Sequence, residues 1–237
     1  MKALLTASLC VGMGLALTSC SDPAKDVPQA TVVTKAPEPA AAPAAAPTET
    51  PAPAADATAT PAPAAEPAPV PAAPVTYKLD PNSSIMFKGS NMIGVREGGF
   101  SKFDGSVVVE GDKYETAKIE ISIDMKSTFS DSDVLTKKLL GDKGFFETEQ
   151  FPTATFKSTS VVKADDGYTV QGVLSLHGVE KEIAFPAKIS ADGKTLTASA
   201  EFAINRHDWK IEYQGEGDYA VRDDVVVLFD ITAVAGA

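Results

Sequence analysis

The sequence predicts an all-β domain, an antiparallel barrel of about eight strands with one short helix, preceded by a signal peptide and a disordered Pro/Ala tether. Three observations carry this. Beyond residue 77, apolar and polar residues alternate with period 2 in segment after segment. Asp-Gly or Gly-Asp pairs fall between those segments at hairpin spacing. Only one stretch, residues 131–140, has helical spacing of its apolar residues.

In chain order the leader comes first. Lys2 precedes an almost wholly apolar run over residues 3–17. That run is short of the ~20 apolar residues a membrane-spanning helix needs, and fits the h-region of a secretory signal. It ends in Leu17-Thr18-Ser19-Cys20, which resembles the lipobox of bacterial lipoproteins. The resemblance implies cleavage after residue 19, diacylglyceryl transfer to the Cys20 thiol and acylation of the new amino terminus by a palmitate-type chain. Two such chains suffice for stable membrane attachment. The expected location is the periplasmic side of the envelope, and Ser21 in place of Asp after Cys20 favours the outer membrane by the lipoprotein sorting rule.

The tether spans residues 20–76. Fourteen of the 17 prolines lie there, mostly alternating with alanine, and no Phe, Tyr or Trp precedes Tyr77. Without large side chains to offset the entropy of ordering, the whole stretch reads as a PPII-leaning linker. Residues 77–237 then form the folded domain, long enough to bury a core. They carry 18 Lys+Arg against 26 Asp+Glu, with no basic stripe, which argues against nucleic acid as a partner.

Within the domain the clearest strand is 117–126, where Ala117, Ile119, Ile121, Ile123 and Met125 share one face. The same period groups Ala154, Phe156 and Val162; Tyr168, Val170, Leu174 and Leu176; Ile183, Phe185, Ala187 and Ile189; Leu196, Ala198, Ala200, Phe202 and Ile204; and Val225, Val227, Phe229 and Ile231. Turns are expected at Gly111-Asp112, Asp166-Gly167 and Asp192-Gly193. Strands with one apolar face require two packed sheets or one closed barrel. Alternation alone leaves the sandwich open. In the helical segment Ser132 or Asp131 is the expected N-cap.

Cysteine use removes several chemistries. Cys10 lies in the leader and the anchor consumes Cys20, so the folded domain has no thiol for disulfides, nucleophilic catalysis, Fe–S clusters or Cys-bound zinc. His177, beside Gly178, is expected to be a solvated turn residue. Arg206 and Asp208, two apart on one strand face, are expected to form an ion pair near the rim, and Trp209 to cap the mouth or pack. No Gly-rich phosphate loop, G-x-S-x-G or H-E-x-x-H occurs. No catalytic or metal-binding residue and no cofactor is assigned, and an enzyme is not expected.

Several stretches together resemble the YceI-like family: Leu135–Leu139 through Phe145-Phe146-Glu147-Thr148, the stretch from Phe151 to Val161, the hairpin from Gly172 to Ala187, Tyr77-Lys78-Leu79-Asp80 with Ser84–Phe87, Gly99-Phe100, Phe103-Asp104-Gly105, Ile204-Asn205-Arg206 with Asp208, and Arg222-Asp223-Asp224-Val225. They run in order across residues 77–237. The resemblance implies a lipocalin-like barrel holding an amphiphile such as a polyisoprenoid or an isoprenoid quinone, for carriage or storage. The residues expected to line its interior are Ile85, Phe87, Ile119, Ile121, Ile123, Phe156, Val170, Leu174, Phe185, Ala198, Ala200, Phe202, Val227 and Phe229. Two departures stand out: many members have His where Ser83 and Lys138 stand here. From the residues alone, large inward side chains opposite small ones fit either a ligand cavity or a filled barrel, the latter a structural or interaction domain contacting an envelope partner.

Overall fold

The computed structural model describes residues 22–33, 73–215 and 220–236. Its strands are β1 (Thr31–Val32), β2 (Pro74–Leu79), β3 (Ser84–Ser90), β4 (Val95–Phe100), β5 (Phe103–Glu110), β6 (Lys113–Asp124), β7 (Thr128–Ser130), β8 (Thr153–Ala164), β9 (Gly167–Leu176), β10 (Val179–Ala191), β11 (Thr195–Asn205) and β12 (Asp224–Ala235). One α-helix, α1 (Asp133–Gly141), and 3₁₀ turns at Met125–Ser127 and Arg206–Trp209 complete the set.

Eight strands close on themselves in the order β10-β9-β8-β6-β5-β2-β12-β11, and β11 returns to β10. Every pairing in this ring is antiparallel. The apolar faces turn inward together, as closure requires. The fold is therefore the barrel and not the sandwich. The expected hairpin turns are in place: Gly111 and Gly193 adopt φ of 57° and 86°. The Asp192 carboxylate accepts from the N–H groups of Lys194 (2.9 Å) and Thr195 (2.7 Å). Those bonds, Thr195's first, hold its carboxyl below the usual carboxylate range.

The wall divides at β12. Residues 233–235 of β12 pair with β2, whereas residues 226–230 pair with β3. Beyond β3, β4 and then β7 extend a three-stranded flap outside the ring. Helix α1 follows β7. Ser132 sits at its N-cap without a side-chain cap bond, and the Ser130 and Thr136 hydroxyls meet each other instead at 2.9 Å.

Two departures from the alternation have local causes. The β8–β9 register shifts between Ser158 and Ser160, a bulge that adds one residue to β8. Beyond it the faces exchange, so Val161 is buried and Val162, expected inside, is 53% exposed. Strand β2 begins at Pro74, which pairs with Glu110, three residues ahead of Tyr77.

The tether reading does not hold for residues 22–33. Thr31 and Val32 pair with Ala184 and Ile183 of β10. Gln29 bridges Ala203 of β11 in parallel, Ala30 N–H donates to Ala203 O (2.8 Å), and Ala203 N–H donates to Pro28 O (2.9 Å). β10 and β11 pair with each other only through residues 188–191 and 196–199. Where they diverge, this segment supplies partners for edge groups that would otherwise go unpaired. Ala30 and Val32 add side chains to the core, and Ala24 is buried against Ala203 and Val226. The β-branched run Thr31-Val32-Val33 distinguishes it from the Pro/Ala stretch that follows. The leader, Cys20 and residues 34–72 lie outside the described residues.

Candidate functional site

The barrel axis holds a cavity of about 110 Å³ lined only by apolar side chains. Twelve of the expected interior residues line it: Ile85, Ile119, Ile121, Ile123, Phe156, Val170, Leu174, Phe185, Ala198, Phe202, Val227 and Phe229. Phe87 and Ala200 do not. The Phe87 ring packs on Phe100 (5.7 Å) and edge-on to Phe146 (5.8 Å), a separate aromatic cluster between the flap and residues 145–146. It left the axis because β3 belongs to the flap at that point, beside Gly98. Ala200 sits instead at a shallower groove bordered by Lys188, Ser199 and Glu201. Ile183, Ala187, Ile189, Leu196 and Ile231 also line the cavity. They occupy the same inward positions of the period and were legible from it. Leu79 and Val107 line it too, outside any segment the alternation singled out.

Phenylalanine rings narrow the cavity. Phe185 and Phe202 stack at 4.2 Å, and Phe156 and Phe229 approach Phe185 at 5.6 and 5.8 Å. Gly172 makes room for Phe156, since a Cβ there would lie 2.5 Å from the Phe156 ring. At one end, where β6 and β9 begin, Tyr114 and Tyr168 meet edge-to-face at 5.7 Å, and the Tyr114 hydroxyl accepts from Ala191 N–H. Removal from water raises the Tyr168 phenol pKa, and Glu115 and Tyr114 push in the same direction.

The opposite end is closed by Trp209, which is fully buried and donates Nε1–H to Leu174 O (3.2 Å). Its 3₁₀ turn is held from two sides. Arg206 is 4% exposed and donates to the carbonyls of Ile211 (2.6 Å), Arg222 (3.0 Å) and Val221 (3.3 Å). Burial pushes its guanidinium pKa down, and the Asp223 and Glu212 carboxylates oppose that. On the other side His177 Nδ1 faces Trp209 O (3.1 Å) and Nε2 faces a Glu147 carboxylate oxygen (3.0 Å). Both neighbours are acceptors, so both bonds form when each ring nitrogen carries hydrogen.

These contacts correct two expectations. His177 is buried, not solvated. It occupies a two-residue hairpin loop with φ of 50°, followed by Gly178 at 71°, the all-positive backbone of a type I′ turn. Arg206 grips carbonyls, and Asp208 instead pairs with Lys181 at 2.7 Å, because residues 206–209 form a 3₁₀ turn in which strand alternation does not apply. Ser83 and Lys138, at the positions where the resemblance leads one to expect His, are not among the residues that line the cavity. Ser83 clamps β12, donating to Thr232 O (2.8 Å) and accepting from Thr232 N–H (3.0 Å). Lys138 pairs with Asp142 and lies 6.0 Å from the Tyr213 ring centre.

Leu79, Ile85 and Ile123 border both the cavity and a surface depression of about 790 Å³, at the place where the wall divides between β2 and β3. Ala187 and Phe229 likewise border both the cavity and the groove beside Ala200.

Comparison with known proteins agrees with this architecture. The YceI-like domain model matches residues 77–233. The chain belongs to the YceI-like family. Among solved structures, BcnA of Burkholderia cenocepacia is 25% identical, with TM-score 0.59 over 66% of this chain and 99% of its own. A polyisoprenoid binding domain from Saccharophagus degradans shares the fold at 18% identity, with TM-score 0.53 over 68% of this chain and 98% of its own. The YCEI protein of Campylobacter jejuni does so at 22%, with TM-score 0.52 over 59% and 84%. The UPF0312 protein of Yersinia pestis (strain Pestoides F) is 36% identical over 96 residues, 40% of this chain and 50% of that protein. The chain thus spans about half the length of the curated relatives it matches.

Proposed function

We propose that this YceI-like domain holds one long apolar chain of the isoprenoid type, a polyisoprenoid or isoprenoid quinone, inside its barrel for carriage or storage, without transforming it. The acylated Cys20 attaches it to the periplasmic side of the envelope, the outer membrane favoured. The observation that carries the reading is the cavity on the barrel axis with purely apolar walls, which accepts hydrocarbon and offers nothing to a polar solute. The Saccharophagus degradans neighbour, described as a polyisoprenoid binding domain, supports the same ligand class.

At about 110 Å³ the cavity is smaller than the ~300–1,000 Å³ of sites that enclose drug-sized ligands. A long chain therefore enters only as the barrel's own rings move aside. The Phe185–Phe202 stack is the natural mobile layer, and the Leu79–Ile85–Ile123 layer the natural way in. The same small volume favours a second reading, a filled barrel serving as a structural or interaction domain.

Ala198→Phe separates the two. Ala198 lines the cavity and pairs with Ile189 and Ile231, which line it too. A phenyl ring needs roughly the space of the ~150 Å³ cavity known to admit benzene. In a barrel with spare interior, thermal unfolding of the stripped variant stays within about 1 kcal/mol of stripped wild type, and copurifying lipid is lost. In a filled barrel the ring forces off-rotamer neighbours and costs ~1–3 kcal/mol, with no lipid on either protein. A stable variant that still carries lipid would place the ligand elsewhere.

A further inference from the structure

The ordered segment 22–33 and the β3–β4 hairpin meet at one end of the barrel. Asp22 Oδ2 pairs with Arg222 Nη1 at 3.1 Å, and Asp22 Oδ1 accepts from Ala24 N–H. Arg222 N–H donates to Ser90 O at 2.9 Å, and Ser90 is the last residue of β3. The turn beyond it is tightly made. Asn91 N–H donates to Gly94 O, and the Asn91 side-chain oxygen accepts from the N–H groups of Ile93 and Gly94, both at 2.9 Å. This small loop turns its apolar side chains outward: Met92 is 62% exposed, Ile93 52% and Val95 40%. Three of the seven exposed large apolar side chains among the described residues thus sit within four positions of one rigid tip.

Such a tip on a folded surface marks a contact with something apolar. What covers it follows from where the chain leads. Cys20 lies two residues before Asp22, and two residues of chain reach at most about 7 Å. Acyl chains on Cys20 would therefore start within that reach of Asp22, which pairs with Arg222 at the root of this hairpin. Arg222 Nε and Ser90 Oγ are buried there without a hydrogen-bond partner among the described residues. Nε can only donate, so it suits an oxygen. An acylated amino terminus brings an amide carbonyl to this corner in place of an ammonium that Arg222 would repel.

We propose that this end is the face the barrel sets on the bilayer, with Met92, Ile93 and Val95 entering the membrane interface beside the acyl chains of Cys20 and the Asp22–Arg222 pair fixing the body there. The inference rests on the lipid-anchor reading above. It also changes what residues 34–72 do: they join two points on the barrel, Val33 and Ala73, and do not separate the barrel from the membrane.

The test uses full-length protein purified from its host's membranes and placed in phosphatidylethanolamine/phosphatidylglycerol vesicles with brominated acyl chains. With Cys20 acylated and Cys10 removed with the leader, Met92→Cys supplies a single thiol for an environment-sensitive fluorophore, and Val162→Cys on the barrel wall supplies the control. The expected result is a blue-shifted probe at position 92, quenched by the brominated chains several-fold more than the probe at 162, with the difference reduced by Asp22→Ala. Equal quenching at 92 and 162 on protein whose intact mass shows an acylated Cys20 would overturn the docking face and leave the anchor standing. An unmodified Cys20 would overturn both.

Discussion

Arg206→Met is expected to destabilise the domain by about 3 kcal/mol, lowering Tm by roughly 6–12 °C for a chain of this size. Methionine replaces the aliphatic stem of this buried side chain but stops short of the guanidinium, so some packing is lost as well. What disappears is a fork of donors to three carbonyls, those of Ile211, Val221 and Arg222. Each buried carbonyl left without a donor costs ~1–3 kcal/mol, offset in part by no longer burying a charge. Arg206→Lys should fall between, because one ammonium cannot span three carbonyls on separate backbone segments. Thermal unfolding of the three proteins checks the order. Arg206→Met as stable as wild type would show that water or backbone relaxation satisfies those carbonyls.

Trp209→Ala is expected to cost about 3–5 kcal/mol, the usual loss when a buried Trp is removed. The indole is fully buried in the core cluster that includes Ile204 and Ile211, and it donates to Leu174 O. Its loss extends the interior toward His177 and Arg206. Trp209→Phe keeps most of the ring and loses chiefly the bond to Leu174 O, about 1 kcal/mol. Denaturant unfolding followed by far-ultraviolet circular dichroism is the suitable probe, since the variants have no Trp to report by fluorescence. A Trp209→Ala loss below about 1 kcal/mol would mean that the end of the barrel collapses freely around the gap.

The barrel was legible because its walls obey one rule. Ile119, Ile121 and Ile123 sit on one face in the sequence and along one side of the cavity in the structure. The rule fails where geometry changes without a sequence mark. A single extra residue at Ser158–Ser160 exposes Val162, and the departure of β3 into the flap carries Phe87 off the axis. His177 was misjudged because its surroundings come from afar: Glu147 and Trp209 lie 30 and 32 residues away. Local pattern describes the turn it occupies but not the two acceptors that fold against it. Residues 22–33 were hidden for another reason. Their order comes from a gap between β10 and β11, which is a property of the barrel's closure and not of the segment's own composition.

Whether the barrel holds an apolar chain is decided by native mass spectrometry of the protein purified gently from its own host. A fraction of molecules is expected to be heavier than the acylated polypeptide by one discrete mass. Organic extraction should release that mass as an apolar or amphiphilic lipid, and occupied protein should melt higher than stripped protein, since a ligand confined to the folded state adds ~2.7 kcal/mol at a hundredfold excess over Kd. A single species at the mass of the acylated chain, unchanged by incubation with isoprenoid lipids and accompanied by destabilisation of Ala198→Phe, would contradict it and leave a filled barrel.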